Sequence, residues 1–250
     1  VGLADSNPSK RSAGGRGTTD RDSGAYGLDT PECRPLPRTD LADSNPSSRR
    51  VAALFVDPAG VYSGLPGVEV WDEARDARLY AGPWPVVAHP PCARWTVPLA
   101  YVNQTRYGYR VGDDGGCFEA ALEAVRAFGG VLEHPRDSIA WTRFELPRPR
   151  REGWVASFFD PGVTTAVDQH AYGHPCKKET WLYYVGPVAP PMRWARAPGG
   201  LPVVSWLRGA AWHREHGRKV ITRTEASATP PAFRDALVAM ARTVEAPAWA

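Results

Sequence analysis

Cys92 is the residue whose type and setting most directly invite chemistry. It lies in the stretch Val86-Val87-Ala88-His89-Pro90-Pro91-Cys92-Ala93-Arg94-Trp95. A Val-Val pair favours a buried strand, and Pro-Pro cannot continue one. The chain therefore leaves the sheet at His89 or Pro90, and the thiol sits just past a strand end on a rigid, donor-poor turn. In open α/β sheets ligands bind at that edge. The reading is a cysteine nucleophile, with Arg94 and His89 as the neighbouring groups that would lower its pKa if they point inward. The bland alternative is a small buried hydrophobe in a proline turn. Two further strand ends carry polar groups closed by proline or followed by a strand. One is Val131-Leu132-Glu133-His134-Pro135. The other is Tyr172-Gly173-His174-Pro175-Cys176-Lys177-Lys178-Glu179-Thr180, which leads into Trp181–Gly186.

The elements that must position these groups follow from the pattern. Residues 1–50 are rich in Ser, Gly, Asp, Arg and Pro and read as a disordered arm. Leu-Ala-Asp-Ser-Asn-Pro-Ser at residues 3–9 returns at residues 41–47, which reads as a duplicated linker. Order begins at Val51 with the apolar run Val51–Val56 and a tight turn over Asp57–Gly60, then a second strand over Gly67–Asp72. Asp72–Tyr80 suggests one or two helical turns. Tyr101–Gly116, with its aromatics, glycines and arginines, reads as a mobile loop. Phe118, Ala121, Leu122, Val125 and Phe128 have helical spacing, stopped by Gly129-Gly130. Residues 138–159 look irregular, and Val163–Val167 is a further strand. The strand–helix–strand order implies a parallel sheet. After the linker Pro187–Gly200, a helix follows Thr229-Pro230-Pro231, running from Ala232 to about Val244, with proline in its first turn.

The 250 residues allow one large domain or two small ones, and 43% apolar composition supports a core. A net charge of +3 is too small to indicate a nucleic-acid partner by itself. Its distribution says more. Arg193, Arg196, Arg208, Arg214, Arg218, Lys219 and Arg223 face the single acid Glu215, with Trp194, Trp206 and Trp212 interleaved. Basic residues mixed with aromatics suit a nucleic-acid surface, or else a solvated basic face. The cysteines, Cys33, Cys92, Cys117 and Cys176, are widely spaced without a CxxC pair, so a reducing cytosol is expected. No apolar run approaches a membrane span. A first residue of Val rather than Met points to a trimmed start.

Taken in order, these motifs resemble the DNA cytosine-5 methyltransferase family. That family has a Pro-Cys nucleophile motif, then Glu-Asn-Val, then Tyr-Gly…Gln-x-Arg-x-Arg before a strand ending Val-Gly, here Val185-Gly186. Ala228-Thr229-Pro230-Pro231-Ala232-Phe233 looks like its closing Asn-x-x-Pro-Pro turn. The chain is also similar to small phage-type proteins sharing His-Pro-Pro-Cys and Glu-His-Pro. The resemblance covers residues 51–245. It implies a Rossmann-like methyltransferase sheet with helices on both faces, in a core over residues 51–186. A small basic DNA-facing region over 187–223 and a C-terminal helix packing back over 224–250 complete it. The implied activity is methylation of cytosine C5 from S-adenosylmethionine on a flipped or single-stranded base, by a monomer in the host cytoplasm. Cys92 adds at C6, Glu133 serves N3 through a carboxyl whose pKa burial raises, and Lys178 holds O2. Residues 101–110 close over the base.

The sequence departs from the family pattern at several points. Phe-x-Gly-x-Gly has become Phe55-Val56-Asp57-Pro58-Ala59-Gly60, and only Lys178 matches a cation of the Gln-x-Arg-x-Arg motif. The cofactor residues carried over are Phe55, Asp57, Gly60 and Trp71, with Glu69 or Asp72 for the ribose. The DNA contacts are Arg94, Arg193, Arg196, Arg208, Arg214, Arg218 and Lys219. Two other classes remain. One is a non-catalytic DNA-binding protein on a decayed methyltransferase fold. The other is a zinc-dependent nucleobase enzyme using His89-x-x-Cys92 or His170-x-x-x-His174-x-Cys176, although the Pro-Cys-x-x-Cys of zinc deaminases is missing.

Overall fold

A computed structural model describes residues 48–96, 99–204 and 210–245. Both copies of the duplicated heptapeptide, and the arm except for its last three residues, lie outside the described residues, as does Arg208. Strand β1 (Val51–Leu54) is wholly buried. It stops two residues before its apolar run does, because Phe55 takes a left-handed φ of 59°. The expected turn follows, with the Gly60 N–H donating to the Asp57 carbonyl at 2.9 Å. Strand β2 (Val68–Trp71) comes next, then a single 3-10 turn at Ala77–Leu79, then β3 (Val86–Ala88).

Residues expected to form a mobile loop instead begin with helix α1 (Leu99–Tyr107). The glycines that suggest a loop all lie beyond Tyr107. The first of them, Gly108, has a φ of 68° and ends the helix. Helix α2 (Cys117–Phe128) buries the apolar stripe its spacing predicts and ends at Gly129. Strand β4 (Gly130–Pro135) follows directly. Within the stretch read as irregular, α3 (Ile139–Arg143) is capped by Ser138, whose Oγ accepts from the Ala140 N–H at 3.2 Å. The chain continues through β5 (Val155–Ala156), β6 (Val163–Asp168), β7 (Glu179–Val185), β8 (Val203–Val204), α4 (Ala210–Glu215), β9 (Val220–Ile221), α5 (Arg223–Ser227) and α6 (Pro231–Arg242). Strands β8 and β9 form a separate parallel pair. No helix among the described residues is long and apolar enough to cross a membrane.

The main sheet has the order β2-β1-β3-β4-β7-β6-β5. Its first four strands are parallel, as the strand–helix–strand pattern implies. The rest corrects that expectation: β7 runs antiparallel to both β4 and β6. Only residues 169–178 join β6 to β7. A parallel crossover needs about a dozen residues or more, so a connection this short makes antiparallel neighbours. Strand alternation then sorts the core into two faces. Val86, Ala88, Leu132 and Tyr183 pack with Phe118 and Leu122 of α2. Val87, Val131, Leu182 and Tyr184 pack with Phe233 and Leu237 of α6. Covering both faces is what makes these strands continuous apolar runs.

The start of β4 is the tightest backbone approach in the sheet. A Cβ on Gly130 would stand 2.0 Å from the Val86 carbonyl oxygen, at a φ of 113°. Gly64 has a φ of 70° with nothing within 4 Å of its would-be Cβ. We expect Gly64→Ala to cost about 1–2 kcal/mol from left-handed strain alone. Gly130→Ala should cost well over about 4 kcal/mol or prevent folding. Urea unfolding of the two variants checks this, and equal losses would contradict the register of β3 on β4.

Candidate active site

Because β1, β3 and β4 are parallel, their carboxyl ends lie on one edge of the sheet. The strand order reverses there: from β1 the chain goes to β2 on one side and later to β3 on the other. Such a reversal opens a crevice between the diverging strand ends. The His89 N–H donates to the Leu54 carbonyl at 3.0 Å, which fixes the exit of β3 against β1. Pro90 and Pro91 then turn the chain away and place Cys92, half-buried, beyond it.

Alternation along β4 decides where Glu133 points. Leu132 packs on the α2 side, so Glu133, paired across the sheet with Leu182, lies on the α6 side. There the His89 Nδ1–H donates to Glu133 Oε2 at 2.8 Å, and the Tyr62 hydroxyl is 2.7 Å from His89 Nε2. Gln169 Nε2 donates to Glu133 Oε1 at 3.2 Å and to Thr180 Oγ1 at 2.9 Å. Tyr62, Gln169 and Thr180 are all buried. These three were not legible as site residues. Gln169 and Thr180 follow or belong to strand ends on the same edge, which is a usable signal, but nothing near Tyr62 in sequence marks it.

Lys178 completes the cluster. Its ammonium donates to the carbonyls of Ser227 and Ala228, both at 3.0 Å, at the end of α5. An ammonium has three N–H groups, so one remains for the site. Burial lowers the Lys178 pKa, while the charges of Glu133 and Cys92 oppose that shift. Burial pushes the Cys92 thiol up and the Glu133 charge adds to the rise, with Thr96 and Lys178 pulling the other way. The structure thus brings Cys92, Glu133 and Lys178 within one another's fields, from three separate parts of the chain.

Two expectations need correcting. Glu133 was to have a pKa raised by burial. Burial does act in that direction, but the His89 hydrogen bond and the charges of His89 and Lys178 outweigh it and hold the carboxyl at about 2. The thiol was to be activated by Arg94 and His89. His89 is engaged by Glu133 and Tyr62, and the Arg94 guanidinium lies 3.3 Å over the Tyr109 ring. Lys178 is the cation that favours the thiolate.

The cofactor candidates gather at the ends of β1 and β2, where the Phe55 N–H donates to the Trp71 carbonyl at 2.8 Å. Asp57 is exposed and caps its own turn through the Ala59 N–H at 2.9 Å. A Cβ on Gly60 would lie 3.0 Å from the Asp57 carbonyl oxygen, so this turn suits glycine. Glu69 is taken by Arg75 at 2.8 Å and Arg50 at 3.4 Å, which leaves Asp72 as the acid at the end of β2. Arg75 also covers Trp71, its guanidinium 3.9 Å from the ring centroid. Two aromatics and two acids, each with one carboxylate oxygen spent on a turn N–H, suit a cationic, adenosine-bearing cofactor such as S-adenosylmethionine. The indole N–H of Trp71, buried and without a partner among the described residues, adds a donor there. The fit requires Arg75 to leave the indole face.

The basic residues do not share one environment. Arg193 is pinned, its guanidinium donating to the Ala171 carbonyl at 3.3 Å and lying 5.1 Å over Tyr172. Arg214, Arg218 and Lys219 are exposed around α4 and β9. Arg196 lines a cleft with Arg136, Arg148 and Arg151. Of the zinc candidates, the His170 Nδ1–H donates to the His174 carbonyl at 2.8 Å. Among the described residues no three His, Cys, Asp or Glu side chains converge as a metal site needs. No protein-family model matches the chain, and neither a curated protein nor a solved structure matches it.

The field at the thiol has a measurable sign. Alkylation of Cys92 by iodoacetamide, followed peptide by peptide, should be slower than for a free thiol near neutral pH and should climb through alkaline pH. Lys178→Met should slow it by about three- to tenfold, and Glu133→Gln should speed it by a similar factor. Equal rates in all three proteins would show that the charges do not meet at the sulfur.

Proposed function

We propose that the protein methylates cytosine at C5 in DNA, with Cys92 as the nucleophile and S-adenosylmethionine as the methyl donor. The observation that carries this is the convergence of a thiol, an acid and a lysine at the edge where the strand order reverses. They come in the chain order that the cytosine-5 methyltransferase resemblance implies. The sheet supports the same reading. Its parallel half, the antiparallel β7 between β4 and β6, and helices on both faces suit a Rossmann-like methyltransferase. S-adenosylmethionine, when bound, supplies an electrophilic methyl group. Phe55, Asp57, Gly60, Trp71 and Asp72 are the residues that would hold it.

The chain's own residues do the rest. The Cys92 sulfur, having lost its proton, bonds to C6 of the ring, and the electron pair of the C5–C6 double bond moves toward C5, N3 and O2. The free N–H of Lys178 stabilises the charge at O2. Glu133 is ionised at rest and accepts from the His89 Nδ1–H, so the N3 proton is delivered through the His89–Glu133 pair. After C5 has gained its substituent, loss of the C5 proton expels the sulfur and re-forms the double bond. The thiol and N3 protons are returned, and the C5 proton is the one released. The base must stand outside a duplex. Exposed Tyr101, Tyr107 and Tyr109, on and just after α1, take the covering role first given to a loop. A monomer in the host cytoplasm belongs to the same proposal.

The raised thiol pKa favours a second reading, a DNA-binding module without catalysis. Incubation with S-adenosylmethionine and DNA carrying 5-fluorocytosine separates the two. We expect a covalent adduct that survives denaturation for the wild type and none for Cys92→Ala. Glu133→Gln should slow its formation by about a hundredfold or more. DNA binding with no adduct in either protein would leave only the module.

A further inference from the structure

A second charged cluster sits on the same sheet edge but on the opposite face. Along β7 and the residue before it, Lys178 faces Glu133 while its neighbour Glu179 turns to the α2 side. Three cations converge on the Glu179 carboxylate: Arg136 at 2.6 Å, Lys177 at 3.0 Å and Arg151 at 2.5 Å. One acid cannot neutralise three bases, so the cluster keeps positive charge. Asp137 offsets part of it through Arg136 at 3.0 Å. Asp168 offsets less, because its Oδ1 is turned onto the backbone N–H groups of His170 and Lys178. Arg148 and Arg196 complete the rim, and neither has an acidic partner among the described residues. The cleft is open to solvent and encloses about 120 Å³, with Trp181 and Trp194 in its wall. Trp194 is fixed by its indole N–H, which donates to Thr165 Oγ1 at 3.0 Å.

Surface cations arranged around a single carboxylate are pre-positioned without being neutralised. Arginine is the side chain best matched to phosphate oxygens. A groove of arginines beside aromatic rings is the composition that binds single strands. The space is too small for a duplex. We propose that this cleft holds the phosphodiester backbone of a single-stranded segment adjoining the nucleotide presented to Cys92. This rests on the proposed function for the identity of the strand, and not for the cleft's affinity for phosphodiesters.

The test uses the full chain and a fluorescent single strand of about ten nucleotides. Arg148 and Arg196 are exposed and make no hydrogen bond or ion pair among the described residues, so Arg148→Gln/Arg196→Gln should melt like the wild type. It should bind the strand about tenfold more weakly, and its log–log salt slope should be shallower by about 1.4, two contacts at about 0.7 each on a single strand. The same loss should appear in a Cys92→Ala background. Unchanged affinity and slope would overturn the proposal. So would displacement by inorganic phosphate or a mononucleotide as readily as by unlabelled strand, which would mark a free-anion pocket. Tighter binding of polyglutamate than of the strand would assign the cleft to an acidic protein. If no 5-fluorocytosine adduct forms but the double variant still loses binding, the cleft stands and the methylation reading falls. An adduct with no change in binding gives the reverse.

Discussion

A carboxylate buried at the end of β4 has to be paired, and in this protein His89 pairs it. An isolated ionised carboxylate in a protein interior costs several kcal/mol even after relaxation. Glu133 avoids that cost by accepting from His89 on one oxygen and from Gln169 on the other. The pairing is possible only because β3 and β4 are adjacent, parallel and in register, with Ala88 opposite Leu132. It also sets where β3 ends. His89 must still be held by the Leu54 carbonyl before the two prolines turn the chain outward. Cys92 lies three residues beyond His89 on a rigid turn, so its position follows from the same pair. Replacing His89 with an apolar residue would strand the Glu133 charge and loosen the turn that carries the thiol.

Lys178 extends this dependence to the far end of the chain. Two of its three protons go to the last carbonyls of α5, where the partial negative charge of a helix terminus favours a cation. Pro230-Pro231 starts α6 a few residues later, and α6 covers the sheet face on which Glu133 lies. The C-terminal elements therefore aim the lysine as well as fill the core. Lys178 and Glu179, neighbours in sequence, serve opposite faces because side chains alternate along an extended chain. One face carries an acid held by one histidine and one glutamine in the field of a lysine, and the other carries an acid outnumbered by bases.

Much of this was legible in the sequence where a segment's own pattern decides its structure. The apolar runs at Val51 and Val86, the helical spacing of Phe118 to Phe128, and the proline start of α6 all behave as their residues dictate. The misses have physical causes. Helix α1 was hidden because glycines downstream of Tyr107 gave the whole stretch a loop-like composition. The direction of β7 depends on the length of a connection and on strand neighbours, which no local pattern encodes. At the site, the three strand-end motifs were visible because proline punctuates them. Tyr62 was not, since it reaches His89 only through the packing of the β1–β2 connection. The Glu133 pKa was misjudged for a related reason. Burial can be guessed from sequence, but a hydrogen bond from a histidine on another strand cannot.

The raised Cys92 thiol looks at first like evidence against a nucleophile, yet its causes point another way. Burial is the larger, and the charge of Glu133 is the next. On the proposed reading the second cause is removed by the substrate itself. When Glu133 engages N3 of the base it shares a proton, and its charge no longer opposes a thiolate. The Lys178 charge stays in place, held by the α5 carbonyls, and it acts more strongly once a base has displaced water from the crevice. Burial, which penalises the thiolate, then strengthens the Lys178 cation that favours it. On that reading the Glu133 charge holds the thiol back until a ring occupies the carboxylate.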